Sequence, residues 1–334
     1  MKGYPIRFAP IYKERIWGGR ALERVYGRIL PGTVPVGESW EVTDRPEGTS
    51  VVTNGSWAGR TLSELLTAEG PAILGTAATR SGRFPLLVKV LDARQVLSLQ
   101  VHPPDRIAGA LGGESKTELW YFTATEPGAE ILVGLKPGTT REAFERAIPS
   151  GAVADCFHRV PVSRGDAMYL PSGRVHALGA GVLLFEIQEN SDTTYRVYDW
   201  NRPGLDGRPR ALQVPESLAS IDFSDFAPGL VASPWVREGD VEVRRLVAGP
   251  PFGVDTFRAS AGVRREDRSD RCRVLGVVRG KVRVGADDGG LEEVLGPGDF
   301  ALLPADLRAA WVRVESAGGA GAEWLVATPG TGGS

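Results

Sequence analysis

Gln100 and His102 stand two apart in the stretch "SLQVHPPD" (98–105). Read as a strand, this stretch puts Ser98, Gln100 and His102 on one face and Leu99 and Val101 on the other, because successive side chains alternate. An amide oxygen and an imidazole nitrogen side by side can both bind a metal. In "ESKTELWYF" (114–122), Lys116, Glu118 and Trp120 share a face by the same rule, and His176 follows "AMYLPSG" at a turn. Gln100, His102, Glu118 and His176 form a donor set that suits zinc and would also accept Mn, Co, Ni or Fe. The glutamine is neutral, so a divalent ion held there keeps net positive charge and serves better as a Lewis acid than as a closed structural site. Taken singly, each residue has an ordinary reading: a hydrogen-bonded histidine, or a surface Glu118 paired with Lys116 for under about 1 kcal/mol. The set carries the argument. The third histidine, His158 in "DCFHRVPV", has no donor near it at ligand spacing and reads as a hydrogen-bonded strand residue.

These residues need strands to converge them, and strand-like runs dominate. "PLLVKVLD" (85–92), "VLSLQVHP" (96–103), "TELWYFTA" (117–124), "EILVGL" (130–135), "DAMYLP" (166–171) and "VLLFEIQ" (182–188) are short and either apolar or alternating. Helix signals are few. "TLSELLTAEG" (61–70) opens on a Thr61/Glu64 capping box and should stop at Gly70; "TTREAFERAI" (139–148) pairs Thr139 with Glu142; "VPESLASIDF" (214–223) has Pro215 near its first turn. The fold class expected is all-β with a few short helices, in two domains: 1–230, carrying the candidate site, and 240–334. Turn residues and little periodicity mark the approach to the second domain, "DFAPGLVASPWVREGD" (225–240). A faint repeat supports duplication. "RGDAMYLPSGRVHALG" (164–179) resembles "PGDFALLPADLRAAWV" (297–312), with Gly165-Asp166 matching Gly298-Asp299, Pro171 matching Pro304, and Ala309 falling opposite His176.

Bulk properties exclude several classes. The chain has 334 residues and a net charge of −2, which gives no electrostatic case for nucleic acid or an anionic membrane as partner. Two cysteines, Cys156 and Cys272, read as free thiols in a reduced, cytoplasmic compartment rather than as a disulfide framework. The first residues lack the apolar core of a secretory signal, and no apolar run approaches the roughly 18 residues of a membrane span. There is no P-loop, and "GESWE" has Trp40 where a nucleophile elbow would end.

"GDAMYLPSGRVHALG" resembles the second motif of the cupin superfamily, at Gly165, Pro171, Gly173 and His176. Within that superfamily the chain is similar to the type I mannose-6-phosphate isomerases in their short bacterial form. The resemblance is carried by "YKERIWGGRAL" (12–22), "VGESWEVTDRPEGTSVVTNG" (36–55), "FPLLVKVLDARQVLSLQVHPPD" (84–105), "SKTELWYF" (115–122), "PSGRVHALG" (171–179) and "FEIQENSDTTYRVYDWNR" (185–202), in the expected order. It covers most of the first 220 residues, while the C-terminal third matches only loosely.

The resemblance implies two cupin jelly-roll barrels, the second without metal, and one zinc ion per chain on Gln100, His102, Glu118 and His176. It implies a catalytic arginine at Arg196, an active-site lysine at Lys116 and an acidic active-site residue at Glu186. Lys89, Ser98 and Arg202 match positions associated with the substrate's phosphate. Longer family members insert a helical domain between the ligand glutamate and the second ligand histidine; here only 58 positions separate Glu118 from His176, so that domain is mostly missing. The implied reaction interconverts mannose 6-phosphate and fructose 6-phosphate through an enediol(ate), with Lys116 or Glu186 as base, in a monomer or homodimer. Two rivals share the scaffold: a metal-dependent cupin dioxygenase, and a cupin that binds a sugar phosphate without turning it over.

Overall fold

The computed structural model describes residues 3–79, 82–287, 289–316 and 321–331. Strands dominate, with few helices. In chain order the strands are β1 (Ile11–Gly19), β2 (Val36–Val42), β3 (Asp44–Arg45), β4 (Gly48–Thr49), β5 (Leu86–Ala93), β6 (Leu99–Val101), β7 (Glu118–Thr125), β8 (Glu130–Leu135), β9 (Phe157–Pro161), β10 (Ala167–Leu170), β11 (His176–Leu178), β12 (Val182–Glu189) and β13 (Tyr195–Tyr198). They continue as β14 (Val236–Glu238), β15 (Val241–Val247), β16 (Phe252–Ala259), β17 (Arg264–Asp267), β18 (Arg273–Arg279), β19 (Val282–Ala286), β20 (Glu293–Leu295), β21 (Phe300–Leu303), β22 (Ala310–Val314) and β23 (Ala322–Pro329).

The chain forms two compact units that are not sequential. One comprises residues 12–39 and 89–232; the other comprises 1–11, 40–88 and 233–334. The expected first domain, 1–230, therefore differs from the observed grouping: residues 1–11 and 40–88 fold with the C-terminal residues. The boundaries at 39/40 and 88/89 fall inside β2 and β5, where no composition shift marks them.

The first unit carries the sheet order β1-β2-β5-β12-β7-β10 and the order β13-β6-β11-β8-β9. Alternation explains how it combines a core with a polar site. On β12, Val182 and Leu184 lie in the core and Glu186 is next on the same face; on β7, Phe122 and Trp120 lie in the core and Glu118 is next. Lys89 follows Ala93 and Leu91 on β5, and Arg15 follows Trp17 on β1. Each inward face is apolar at one end and charged at the other, so the apolar cluster closes one end and the charged residues meet at the other. The opposite face of the second sheet (Leu99, Val101, Leu132, Ala177, Val197) packs on Phe144 and Ile221. Each such side chain contributes roughly 1.5–3 kcal/mol when fully buried.

The other unit repeats this topology. Its sheets run β14-β15-β16-β23-β18-β21 and β17-β22-β19-β20, an order that follows the first unit strand for strand apart from β13. The matched turns are built alike. Gly165 N donates to Phe122 O (2.8 Å), Phe122 N to Asp166 O (3.0 Å) and Ser163 N to Asp166 Oδ2 (2.8 Å). Gly298 N donates to Val277 O (2.8 Å), Val277 N to Asp299 O (3.0 Å) and Gly296 N to Asp299 Oδ2 (2.8 Å). Gly165 and Gly298 have φ of 89° and 80°, a conformation that disfavours any side chain.

Strand register then identifies counterparts. Glu118 pairs Leu170, and Arg273 pairs Leu303; Gln100 pairs His176, and Asp267 pairs Ala310. Ala310, rather than Ala309, thus stands in His176's place, because the segment after Pro304 is one residue longer. Where the first unit sets Glu118 and Gln100, the second sets a buried Arg273–Asp267 ion pair (3.0 Å).

Helix boundaries differ from expectation in two places. The first long helix, Leu62–Leu74, has the Thr61/Glu64 capping box but passes Gly70, breaking only at Glu69 (φ −129°, ψ 19°) ahead of Pro71. Proline suits the first turn of the resumed helix, which explains the continuation. The helix Arg141–Ser150 is capped by the Thr140 side chain, which accepts from Ala143 N, rather than by Thr139. No described helix is long and apolar enough to cross a membrane, and Cys156 and Cys272 are both free thiols.

Candidate metal centre and active-site cavity

His102, Glu118 and His176 converge at the buried end of the polar face. Glu118 Oε1 lies 3.3 Å from His102 Nε2 and 3.1 Å from His176 Nε2. Both histidines place the other ring nitrogen against a backbone carbonyl: His102 Nδ1 is 2.8 Å from Thr193 O, and His176 Nδ1 is 2.9 Å from Arg174 O. A carbonyl can only accept, so each Nδ1 carries a proton, and in the neutral imidazole the lone pair is then at Nε2. Burial, reinforced by Lys116, pulls His102 down to about 3, so it stays neutral. Two lone pairs thus face a carboxylate. His102 Nε2 and Glu118 Oε1 are buried and make no hydrogen bond. Buried acceptors turned on one another are costly unless a cation lies among them.

The fourth donor is adjacent. The Gln100 amide lies 3.3 Å from His176 Nε2 through Nε2, and a half-turn of the amide presents Oε1 instead. Donor separations of 3.1–3.3 Å fit the edge of a coordination shell with metal–ligand distances of about 2.0–2.2 Å. Burial alone would raise the Glu118 carboxyl. Lys116 Nζ, 2.8 Å from its Oε2, and then His102 outweigh burial and hold it well below the usual range, as an ionised ligand must be.

A cavity of about 520 Å³ opens beside this set. Lys89, Ser98, Gln100, Lys116, Glu186 and Arg196 all line it. Glu186 is buried; Trp120 Nε1 donates to its Oε1 (3.0 Å) and Lys89 Nζ lies 3.3 Å from its Oε2. Burial raises its carboxyl, against the opposing pull of Lys116 and Lys89. Burial would lower the Lys89 ammonium, but Glu186, Glu38 and Asp192 outweigh it and hold the ammonium above its ordinary range. Arg196 reaches the cavity from β13, which pairs with β6 at Gln100; its Nε donates to Ser98 Oγ (3.2 Å).

Two placements differ from the sequence-based expectation. Lys89 Nζ sits among three carboxylates, Glu186 at 3.3 Å, Asp192 at 3.5 Å and Glu38 at 3.8 Å, rather than in a position open to an anion. Arg202 is not among the described lining residues; its guanidinium is taken up by Asp199 (3.0 Å) and Val96 O (2.6 Å). Thr193 and Arg174, which orient the two histidines, escaped sequence reasoning because they act through backbone carbonyls. Arg15, Glu38, Asp192 and Arg210 also line the cavity; the first three lie within quoted segments of the resemblance, Arg210 lies outside them, and nothing in spacing alone singles any of them out.

Fold and site define a class: an all-β protein in which two histidines and a glutamate converge beside a charged cavity, the arrangement of a metal-assisted enzyme. A family model described as phosphomannose isomerase type I, catalytic domain, matches residues 6–140. A mannose-6-phosphate isomerase of Streptococcus mutans is 36% identical over 297 residues, 88% of this chain and 90% of that one. One from Bacillus subtilis is 44% identical over 223 residues, 65% of this chain and 68% of that one. The crystal structure of a Bacillus subtilis mannose 6-phosphate isomerase superposes with a TM-score of 0.86 at 30% identity, covering 97% of this chain and 99% of the other. The chain belongs to the type I phosphomannose isomerase family.

Proposed function

We propose that the chain interconverts mannose 6-phosphate and fructose 6-phosphate, with one zinc ion per chain held by His102, Glu118, His176 and Gln100. The observation that carries this reading is the buried convergence of His102, Glu118 and His176 beside a cavity lined by Lys116, Glu186 and Arg196. When bound, the ion supplies fixed positive charge where the reaction develops negative charge on the sugar's oxygens.

The remaining work falls to side chains. Glu186 removes the proton from C2 and returns it to C1: its carboxyl is raised by burial, which brings a base closer to the working pH, and two hydrogen-bonding neighbours fix its direction. Lys116 is ion-paired to Glu118 and keeps that ligand oriented. Arg196 offers a fixed guanidinium to the developing negative charge. The repeated strand order supports two jelly-roll domains of the cupin type, with metal in the first only. The two free thiols, and the lack of a long apolar helix among the described residues, are compatible with a cytoplasmic enzyme.

A coupled assay converting mannose 6-phosphate to fructose 6-phosphate, run with and without chelator, tests the reading. Turnover lost on chelation and restored by zinc supports it. Oxygen uptake without isomerisation would favour a cupin dioxygenase, and substrate binding without turnover a sugar-phosphate sensor.

A further inference from the structure

The cavity's charges are sorted. Near the metal set, Arg15, Lys89 and Lys116 meet Glu38, Glu118, Glu186 and Asp192, so the carboxylates outnumber the cations before an ion binds. Away from it, Arg196, Arg202 and Arg210 gather around one buried carboxylate, Asp199. Asp206 also lines the cavity, but from an exposed loop. This end therefore has an excess of positive charge.

Arg210 is held for a purpose beyond its own ion pair. Its Nε and Nη2 form a fork on Asp199, both at 2.6 Å, while its Nη1 takes part in no described hydrogen bond. Arg196 Nη1 donates to Ala211 O (3.0 Å), and Gln213 N donates to Arg196 O (2.8 Å), so the segment bearing Arg210 is fastened alongside β13. Two guanidinium groups are thereby kept together against their repulsion: burial, then Arg210, pulls Arg196 below the ordinary guanidinium range. Arg202 donates from Nε to Asp199 Oδ1 (3.1 Å) and from Nη1 to Val96 O (2.6 Å), its buried Nη2 lies 3.0 Å from the same carboxylate without a hydrogen bond, and the residue serves to fix Asp199. A phosphate brought to Lys89 instead would meet three carboxylates.

We propose that Arg210, beside Arg196 on the cavity wall, binds the phosphate group of the substrate. The proposal rests on the sugar-phosphate reading above and assigns the end of the cavity where the phosphate lies. The Arg210 guanidinium, fixed on Asp199 with its Nη1 in no described hydrogen bond, suits a phosphate dianion, which accepts charge-assisted hydrogen bonds from it, while Arg196 stays with the developing charge.

The test compares metal-loaded wild type with Arg210→Gln and Arg210→Lys, checking zinc content and thermal melting of each. Michaelis kinetics on mannose 6-phosphate should give Arg210→Gln a KM raised about 10–100-fold, with the loss falling on KM rather than kcat. Calorimetric titration with inorganic phosphate should show a matching loss of affinity, and Arg210→Lys should recover part of both. If Arg210→Gln does not fold, Asp199→Asn keeps the guanidinium but loosens its fork and should raise KM by a smaller factor. Wild-type KM and phosphate affinity in Arg210→Gln, or in Asp199→Asn where that variant replaces it, would overturn the proposal, as would a loss confined to kcat. Absence of turnover in the wild type would overturn the functional reading, while the phosphate titration still decides the role of Arg210.

Discussion

Trp120 Nε1 donates a 3.0 Å hydrogen bond to Glu186 Oε1, and the same indole stands edge-on to the His176 ring with centroids 5.4 Å apart. One buried side chain thus fixes the proposed base relative to a proposed metal ligand. Lys89 holds the other oxygen of Glu186 at 3.3 Å. A carboxylate pinned at both oxygens is aimed in advance, as proton transfer at carbon requires.

Glu186→Gln should therefore abolish exchange of the substrate's C2 proton with solvent deuterium. Lys116→Met should leave exchange in place at a reduced rate, because it disturbs Glu118 rather than the base. Proton NMR of mannose 6-phosphate in D2O separates the two. Exchange lost in Lys116→Met and kept in Glu186→Gln would reverse the assignment.

His102→Ala should lose metal and activity together. It removes one of the converging donors, and a cavity in its place supplies none. Elemental analysis of the purified variant is expected to give well under one zinc per chain against one in the wild type. A His102→Ala protein that keeps a full equivalent would exclude His102 as a ligand.

Arg196→Ala should keep its zinc, since a guanidinium is not a ligand, yet lose turnover by about 10²–10³, the usual effect of removing one donor from developing charge. Metal analysis and kcat measured on the same preparation check both halves. Turnover close to wild type would remove Arg196 from the chemistry.

Arg273→Met addresses the other unit. Arg273 is buried and ion-paired to Asp267, and losing one partner of such a pair leaves an uncompensated charge at a cost of about 3–5 kcal/mol. The variant should melt several degrees lower, while Arg273→Met combined with Asp267→Asn should recover much of the loss. Zinc content should not change in either. A melting temperature equal to wild type in Arg273→Met would show that the pair contributes nothing.

Much of the proposed site was legible because strand alternation carries information about faces. Gln100 with His102, and Lys116 with Glu118, were readable as neighbours from spacing of two. Their convergence with His176 was not a matter of spacing, and there the family resemblance did the work. What stayed hidden has physical reasons. Thr193 and Arg174 contribute carbonyl oxygens, which every residue has. Asp199 and Arg210 meet through loop geometry that no periodicity encodes. The resemblance matched Lys89 to a phosphate position; the anions around its ammonium are the carboxylates of Glu186, Asp192 and Glu38. The unit boundaries lie inside β2 and β5, whose uniformly buried residues show no break in composition.

The interleaved units bear on how the protein is made. All residues of the metal set are translated by residue 176, and their unit is complete at 232. The other unit joins early segments to late ones: Ile6 bridges to Leu302, Asn54 bonds Glu293, and β23 fills the centre of its sheet between β16 and β18. A nascent chain still on the ribosome can thus close the unit that carries the proposed metal site, as earlier segments generally fold first. Phe8 finds its bridge partner at Val52, whereas Ile6 must wait for Leu302 before its own partner exists.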